Sequence, residues 1–491
     1  MERLKPTPGE MTTVDKIEVE NASSGVITSR TNVVLSDKDQ KKARRLRWKI
    51  DLWILPIMTI IYLLAAMDRS DIGNAQVAGM QKAIGATDSQ WSKVVSLFYV
   101  GFVLGHVPGV FALRKLGPPV VLGAAVAAWG VMVTLLMEVE TWSQAVGVRI
   151  CIGFAEGISH AGPLYLSLWY TRKELGTRGG IFYSASSLAG AFNGLIAYGI
   201  VKTYSHHPPF APWQWIFLIE GCVSIGFGLF ALGALPGAPD KLSWGFTADE
   251  KRLALIRTQR ANNTPHERIR WKSVVGAFKS PMWVVYTLIL ACTQVALGGL
   301  SSFLPAILKG LGYSSVHAQL MTVPIYSVSA VSTVVCSYFS DKTQLRGPWL
   351  VGLSSFSLVG YIMVLASHNN HVRYGGLFLA AAGQYPIVVI VLTWLAVNIP
   401  NFTHRATISA TTNILAQAIT TAVLTTFDDP PYYHKGLSVV IGLTCCSPVL
   451  SSFGMWYVRW FNSRKQPATE QQRGMTLAEL GEDHPDFFLQ M

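Results

Sequence analysis

An arginine, a glutamate and a histidine follow one another at helical spacing inside a long apolar segment, in the stretch Arg149-Ile-Cys-Ile-Gly-Phe-Ala-Glu156-Gly-Ile-Ser-His160. Seven residues make two helical turns, so Arg149 and Glu156 lie within about 20° of each other on one helix face. His160 follows on that face one turn later. Charged side chains in a segment long enough to cross a bilayer are costly and usually mark function. A cation, an acid and an imidazole on one face supply the chemistry to bind an anion and move a proton with it.

The composition indicates that membrane helices position these groups. Half of the residues are hydrophobic and 14% are charged, whereas about a quarter are charged in a typical soluble protein. The apolar residues form blocks of roughly 20, the length that spans hydrocarbon. We therefore predict an all-α polytopic membrane protein with twelve transmembrane helices. The predicted spans are roughly 50–79, 91–113, 118–138, 142–170, 178–201, 213–235, 281–305, 316–339, 347–367, 373–399, 404–426 and 436–461.

A long polar stretch divides these spans into six plus six, the pattern of duplicated transporter folds. We predict a cytoplasmic tail over 1–49, a six-helix bundle over 50–236, a cytoplasmic loop over 237–280, a second six-helix bundle over 281–461 and a cytoplasmic tail over 462–491.

Basic residues predict the orientation, because cytoplasmic loops carry an excess of lysine and arginine. With both termini in the cytoplasm, the basic clusters next to the spans all fall on the cytoplasmic side of a multi-pass membrane protein. The net charge of +12 then reflects loop asymmetry, and no nucleic-acid partner is expected. These clusters are Lys41, Lys42, Arg44, Arg45, Arg47, Lys49, Arg114, Lys115, Arg172, Lys173, Arg178, Lys342, Arg346, Arg459, Arg464 and Lys465.

Other classes of function lack their sequence signatures. The six cysteines fall in apolar segments without metal-ligand spacing, so neither a metal nor a cofactor is expected. The sequence has no nucleophile elbow and no phosphate-binding glycine loop, so we predict that the protein is not an enzyme.

A charged turn between the eighth and ninth spans reads Ser340-Asp341-Lys342-Thr-Gln-Leu-Arg346-Gly. An acid followed by bases at a helix end can clamp neighbouring helices through charge-assisted hydrogen bonds. The stretch resembles the loop signature of the major facilitator superfamily, which implies a gating role for Asp341, Lys342 and Arg346. An ordinary basic loop is the alternative. The equivalent stretch of the first half, 109–117, keeps its glycines and basic residues but lacks the acid.

Four further motifs resemble those of the fungal allantoate permease family, a branch of the anion:cation symporters. They are Asp68-Arg69-Ser-Asp-Ile-Gly-Asn in the first span, Trp213-Gln-Trp-Ile-Phe-Leu-Ile-Glu220-Gly in the sixth, Phe303-Leu-Pro in the seventh and Trp394-Leu-Ala-Val-Asn398 in the tenth. The resemblance covers nearly all of 45–461.

The resemblance implies roles for the charged residues. Arg149 would contact a substrate carboxylate, and Glu156 would take part in proton coupling. Arg69 matches a second substrate-contacting arginine of the related vesicular glutamate transporters. The chain departs from the family at Asp71, where asparagine is usual, and the seventh span offers Gln294 in place of a charge. A substrate with one carboxylate is therefore favoured over one with two.

Further candidates are His160, His106 and Glu220 for proton coupling, and Asn193 and Gln294 for hydrogen bonds to substrate. Histidine titrates near neutral pH, yet a lone histidine on an apolar face is often only a satisfied polar group. Glu220 suits a structural role as well as a functional one.

Structural alternatives remain for the arginines. Arg149 could pair with Glu156 or Glu220 only to hold helices together, and Arg69 could pair with Asp68 as an interface anchor.

These observations favour proton-coupled import of a small organic carboxylate by a functional monomer, with a nicotinate-like ring acid preferred. We expect an Arg149–Glu156 pair that opens when Glu156 is protonated, so that Arg149 takes the anion. One alternative is a proton-antiport exporter, although 186–195 lacks the Gly-Pro element typical of exporters. Another is a non-transporting nutrient receptor, which usually needs a longer cytoplasmic extension.

Overall fold

The computed structural model describes residues 37–160, 162–170, 172–204, 209–239, 242, 244–260, 278, 281–399, 402–430, 432–465 and 489–490. The chain divides into two compact units, 1–49 and 50–491. Most of the two predicted tails and part of the predicted central loop lie outside the described residues.

The described residues of the first half form ten helices and a short 3-10 turn at Leu136–Glu138. The α-helices are α1 (Asp37–Val77), α2 (Met80–Ala83), α3 (Asp88–Ser96), α4 (Phe98–Leu116), α5 (Pro118–Leu135), α6 (Trp142–Ser159), α7 (Gly162–Trp169), α8 (Arg172–Tyr204), α9 (Pro212–Ala234) and α10 (Ala248–Arg260). The second half adds α11 (Pro281–Gly310), α12 (Ser315–Thr343), α13 (Arg346–Ala366), α14 (Asn370–Asn398), α15 (Phe402–Leu424) and α16 (His434–Ser463).

Ten stretches of the described residues are long and apolar enough to cross a membrane. The two other predicted spans, 142–170 and 404–426, correspond to α6 with α7 and to α15. Many large apolar side chains are exposed on the helix surfaces, including Leu104, Phe111, Phe230 and Val331. Such surfaces suit contact with lipid, since the helices satisfy their own backbone hydrogen bonds.

In the first predicted span the polar run Asp68–Asp71 interrupts the apolar pattern. Helix α1 nevertheless continues without a break to Val77, and Asp68, Ser70 and Asp71 are buried within the helix bundle.

Within each half the helices pack in pairs. In the first half α4 packs on α6 and α5 on α9; in the second, α13 packs on α14 and α11 on α15. A buried cluster that includes Tyr286, Leu350, Trp394 and Val458 forms the core of the second half.

The two halves contact each other at the end opposite the basic loops. The hydroxyl of Ser92 donates to the carbonyl of Phe427 at 2.5 Å, and Gln319 Nε2 donates to the carbonyl of Asn74 at 3.4 Å. Helices α8 and α12 also pack across the halves. The end that carries Gly117, Gln344 and Ile399 is called the basic end below, and the opposite one the closed end.

Candidate functional site

Five buried charged residues from three spans of the first half converge. Asp68 and Asp71 lie on α1, Arg149 and Glu156 on α6, and Glu220 on α9, and none is more than 6% exposed. Arg69 is the sixth member, with its side chain 15% exposed. Burial of so many ionisable groups is costly unless each one meets a partner.

The ion pairs run between α1 and α6. Arg149 Nη1 lies 3.9 Å from Asp68 Oδ1, and Arg69 Nε lies 3.7 Å from Glu156 Oε2. The expected Arg149–Glu156 pair is therefore wrong. Seven residues along a helix rise by about 10.5 Å, so two side chains on the same face at that spacing are too far apart for an ion pair. Each instead meets a residue of α1.

Neither ion pair is a hydrogen bond at these distances, which leaves donors and acceptors available. Both carboxylate oxygens of Asp68 and of Glu156, and Nε and Nη1 of Arg149, are buried without a hydrogen-bond partner in the described residues. Arg149 packs over the ring of Phe98 at 4.7 Å. Unsatisfied buried polar atoms are rare in folded proteins, and here they provide capacity for a proton or an anion.

The carboxyl groups also contact each other. The Asp68 carboxyl interacts directly with that of Glu156, and the Asp71 carboxyl with that of Glu220. Two carboxylates that share a site are costly to ionise together unless cations beside them offset the repulsion. The first pair also has two arginines beside it, whereas Glu220 interacts with carboxyl groups alone among its described charged neighbours.

Two glycines of α6 allow the close approach that fixes this geometry. A Cβ on Gly153 would overlap the carbonyl oxygen of Phe98, and one on Gly157 would overlap that of Phe102. Helix α6 therefore lies directly against the 98–102 backbone, as small residues permit between membrane helices. The glycines in the Arg149–Glu156 motif thus hold the charged helix α6 against α4.

A cavity of about 60 Å³ lies between the two halves within 50–491, next to the charges. Among the described residues that line it, Arg69 is the only arginine or lysine. The other lining side chains that bear on recognition are Tyr62, Tyr99, His160, Tyr183, Gln294, Tyr326, Tyr385 and Gln417.

A second cavity, of about 20 Å³, extends toward Glu156. Arg69 and His160 line both cavities, so they lie between the central cavity and the buried carboxyl group of Glu156. Arg149 is not among the residues that line either cavity. Arg69 thus lies at the surface of both cavities, while Arg149 is buried away from them.

The remaining sequence candidates divide between the cavity and its surroundings. Gln294 lines the cavity as predicted for a substrate contact. Asn193 does not: its Nδ2 donates to the carbonyl of Met67 at 2.9 Å and to the hydroxyl of Ser70, and its Oδ1 accepts from Asn74. Asn193 therefore joins α8 to α1 beside the site.

The two histidines lie together. The ring of His106 is 5.2 Å from that of His160, and its Nδ1 is buried without a hydrogen-bond partner in the described residues. His160 also interacts with the side chain of Asn413 from the second half. His160 is thus placed between the two halves, and His106 supports it from α4.

At the basic end, the structure brings together two of the three predicted gating residues. Arg346 Nη2 lies 3.4 Å from Asp341 Oδ1, whereas Lys342 is exposed. Arg346 also contacts Gln490, a residue that the sequence motifs did not indicate.

Three cavity tyrosines, Tyr62, Tyr99 and Tyr326, were not singled out from the sequence. A signal existed for one of them: Tyr62 precedes Arg69 by two helical turns, so both lie on one face of α1.

Comparison with known proteins identifies the family of the chain. A family model described as Major Facilitator Superfamily matches residues 58–425. The chain belongs to that superfamily. The high-affinity nicotinic acid transporter of Saccharomyces cerevisiae is 31% identical over 447 residues, covering 90% of this chain and 82% of the relative. The MFS-type transporter cnsO of Penicillium expansum is 32% identical over 480 residues, covering 92% and 91%.

Solved structures of major facilitator proteins share the fold. The proton:xylose symporter XylE bound to 6-bromo-6-deoxy-D-glucose gives a TM-score of 0.64 at 17% identity, over 82% of this chain and 95% of that one. A bacterial homologue of the human lysosomal transporter Spinster, inward-facing and occupied, gives 0.63 at 14% identity, over 84% and 98%. The predicted fold class, an all-α membrane protein of two helix bundles, is confirmed, and this major facilitator protein is a membrane transporter.

Proposed function

We propose that this transporter imports a small organic monocarboxylate together with protons. The observation that carries the proposal is the position of Arg69, which lines the central cavity and lies 3.7 Å from the buried Glu156. One guanidinium thus faces both an anion site and an acid that can bind a proton.

Charge balance suggests the order of events. With Glu156 ionised, Arg69 is paired and the site is neutral. Protonation of Glu156 releases Arg69, which then takes the substrate carboxylate, and the loaded site is neutral again. A neutral site can be enclosed when the halves close, because an unpaired buried charge would oppose closure. Arg149 stays with Asp68 and keeps that carboxylate from competing for Arg69.

The cavity favours a flat ring acid as substrate. Tyrosines supply aromatic faces for a ring, Arg69 suits a single carboxylate, and the amides of Gln294 and Gln417 can hydrogen-bond a ring nitrogen or amide. A relative at 31% identity is named for nicotinic acid. These features support a nicotinate-like substrate and a place in the allantoate permease family.

The same proposal includes the orientation and the organisation of the chain. The basic end faces the cytoplasm of a cell-membrane protein with both termini inside, in keeping with the positive-inside rule. Six-helix bundles over 50–236 and 281–461 rock about the central cavity in a functional monomer, with Asp341 and Arg346 at the gate. His160, His106 and Glu220 assist proton movement.

Uptake of labelled nicotinate tests the proposal, in cells expressing this chain at acidic and neutral outside pH, with and without a protonophore. Uptake should rise with outside acidity and collapse with the protonophore. Uptake that ignores both treatments would refute proton coupling. If nicotinate is not taken up at all, the nicotinate assignment is wrong.

A variant separates binding from coupling. Glu156→Gln should still exchange labelled for unlabelled nicotinate, because Arg69 stays free for the anion, yet fail to accumulate it against a gradient. Glu140→Gln, an exposed acid at the closed end, is the matched control and should accumulate normally. Normal accumulation by Glu156→Gln would exclude Glu156 as the coupling acid.

A further inference from the structure

Residues 489 and 490 are held against the basic end of the second half. Leu489 is 5% exposed and belongs to the same buried cluster as Trp394, Ile399 and Ile408. A terminal segment is ordered only where specific contacts hold it, and a buried leucine contributes one such contact through loss of apolar surface to water.

Side-chain amides bind the backbone of both residues. The backbone N–H of Gln490 donates to Asn398 Oδ1 at 2.7 Å, and Asn398 Nδ2 donates back to the Gln490 carbonyl at 2.9 Å. Trp394 Nε1 donates to the same carbonyl at 2.8 Å. Asn462 forms the equivalent reciprocal pair with the backbone of Leu489, at 3.1 and 2.9 Å.

These contacts make a specific slot. An asparagine that both accepts and donates satisfies the N–H and the carbonyl of one residue, as a neighbouring strand would. The ends of α14 and α16 bind the backbone of this dipeptide, and an apolar pocket takes the Leu489 side chain. Trp394 and Asn398, the two ends of the tenth-span motif, here bind the backbone of Gln490.

The side chain of Gln490 binds Arg346, one of the predicted gating residues. Gln490 Oε1 accepts from Arg346 Nη1 at 2.8 Å, whereas Arg346 Nη2 lies 3.4 Å from Asp341. The shorter of these two contacts of the gate arginine is therefore with Gln490, and a hydrogen bond to a charged group is among the stronger kinds.

We propose that Gln490 is a positioning residue for Arg346, and that the Leu489–Gln490 segment acts as a latch on the gate between α12 and α13. The latch joins the start of α13, the end of α14 and the end of α16, so it braces the basic end of the second half in the arrangement in which the closed end is sealed. Its release lets the 341–347 turn move and shifts the conformational equilibrium. Neither step depends on the identity of the substrate.

Two substitutions at one position should act in opposite directions. Gln490→Ala keeps the backbone contacts but removes the bond to Arg346, whereas Gln490→Glu replaces that bond with an ion pair. In the purified full chain in lipid nanodiscs, hydrogen–deuterium exchange of 341–347 should be about tenfold faster than wild type in Gln490→Ala and slower in Gln490→Glu. A purely structural role would move both variants the same way.

Two further variants test the latch itself. Gln490→Pro removes the N–H that donates a hydrogen bond to Asn398 Oδ1, and Leu489→Asp places a charge in the apolar pocket. Both should release the segment and speed exchange in 341–347 at least as much as Gln490→Ala. Val449→Ala, which trims a side chain that is 68% exposed on α16 away from the turn, is the control and should match wild type. Wild-type exchange in all four variants at positions 489 and 490 would overturn the proposal, whatever the nicotinate experiments show.

Discussion

The two halves of this transporter share an architecture but differ in the charge of their interiors. In the described part of the first half, Asp68, Asp71, Arg149, Glu156 and Glu220 are buried around one point. The buried groups of the second half beside the cavity are neutral, such as Gln384, Asn413 and Gln417. Its buried arginines, Arg346 and Arg373, lie at helix ends.

The difference indicates a division of labour. Proton and anion chemistry needs ionisable groups whose charges can be exchanged, and these are concentrated in the first half. A neutral second half can move against them without separating an ion pair, a step that would be costly in a low-dielectric interior. It contributes neutral side chains to the cavity, namely Gln294, Tyr326, Tyr385 and Gln417.

The largest expected effect comes from unpairing a charge in the first half. Arg149→Gln removes the arginine that pairs with the buried Asp68 carboxylate. Loss of one partner of a buried ion pair costs about 3–5 kcal/mol. The free energy of unfolding, measured by denaturant titration in detergent, should fall by that amount. The double variant Asp68→Asn/Arg149→Gln should recover most of the loss. If the single variant is as stable as wild type, the pair is not structural.

Removal of Arg69, the cation of the central cavity, should weaken substrate binding more than it destabilises the fold. Arg69→Gln loses a charge-assisted hydrogen bond to the carboxylate, worth about 1.5–3 kcal/mol, so nicotinate affinity should fall about 10–100-fold in a binding assay. Lys93→Gln, an exposed cation of the same half, is the control. If Arg149→Gln abolished binding in folded protein while Arg69→Gln did not, Arg149 would be the anion contact that the sequence suggested.

Asn193→Ala tests a residue that the sequence predicted to hydrogen-bond the substrate. In the structure Asn193 instead hydrogen-bonds α1 from α8. The substitution leaves the buried Asn74 amide without the oxygen to which it donates, at a cost of about 1–3 kcal/mol. Thermal stability should fall while the KM for nicotinate stays within about twofold of wild type. A raised KM at unchanged stability would restore the substrate role.

The smallest effect is expected in the neutral half. Gln294→Leu removes one neutral hydrogen bond, worth about 0.5–1.5 kcal/mol, so nicotinate KM should rise by about tenfold at most. The dependence of uptake on outside pH should not change, in contrast to Glu156→Gln. A changed pH dependence would show that the second half also takes part in proton coupling.

Much of the fold could be predicted from local sequence, because a bilayer-length apolar block can cross hydrocarbon only as a hydrogen-bonded helix. The boundaries were less accurate: α1 begins at Asp37 and passes unbroken through Asp68–Asp71. Helix ends depend on contacts and capping beyond the apolar block, and polar residues stay helical where other helices supply partners.

The sequence by itself determined that Arg149 and Glu156 share a face, since helical periodicity is a local property. Only the tertiary structure decided their partners. The rise of α6 keeps the two charges apart, so α1 must supply Asp68 and Arg69, and the approach of α6 to α4 through Gly153 and Gly157 sets their depth. The contact between Arg346 and Gln490 also depends on tertiary structure. The two residues lie 144 positions apart in the chain, and spacing along a sequence does not tell which distant segments pack together.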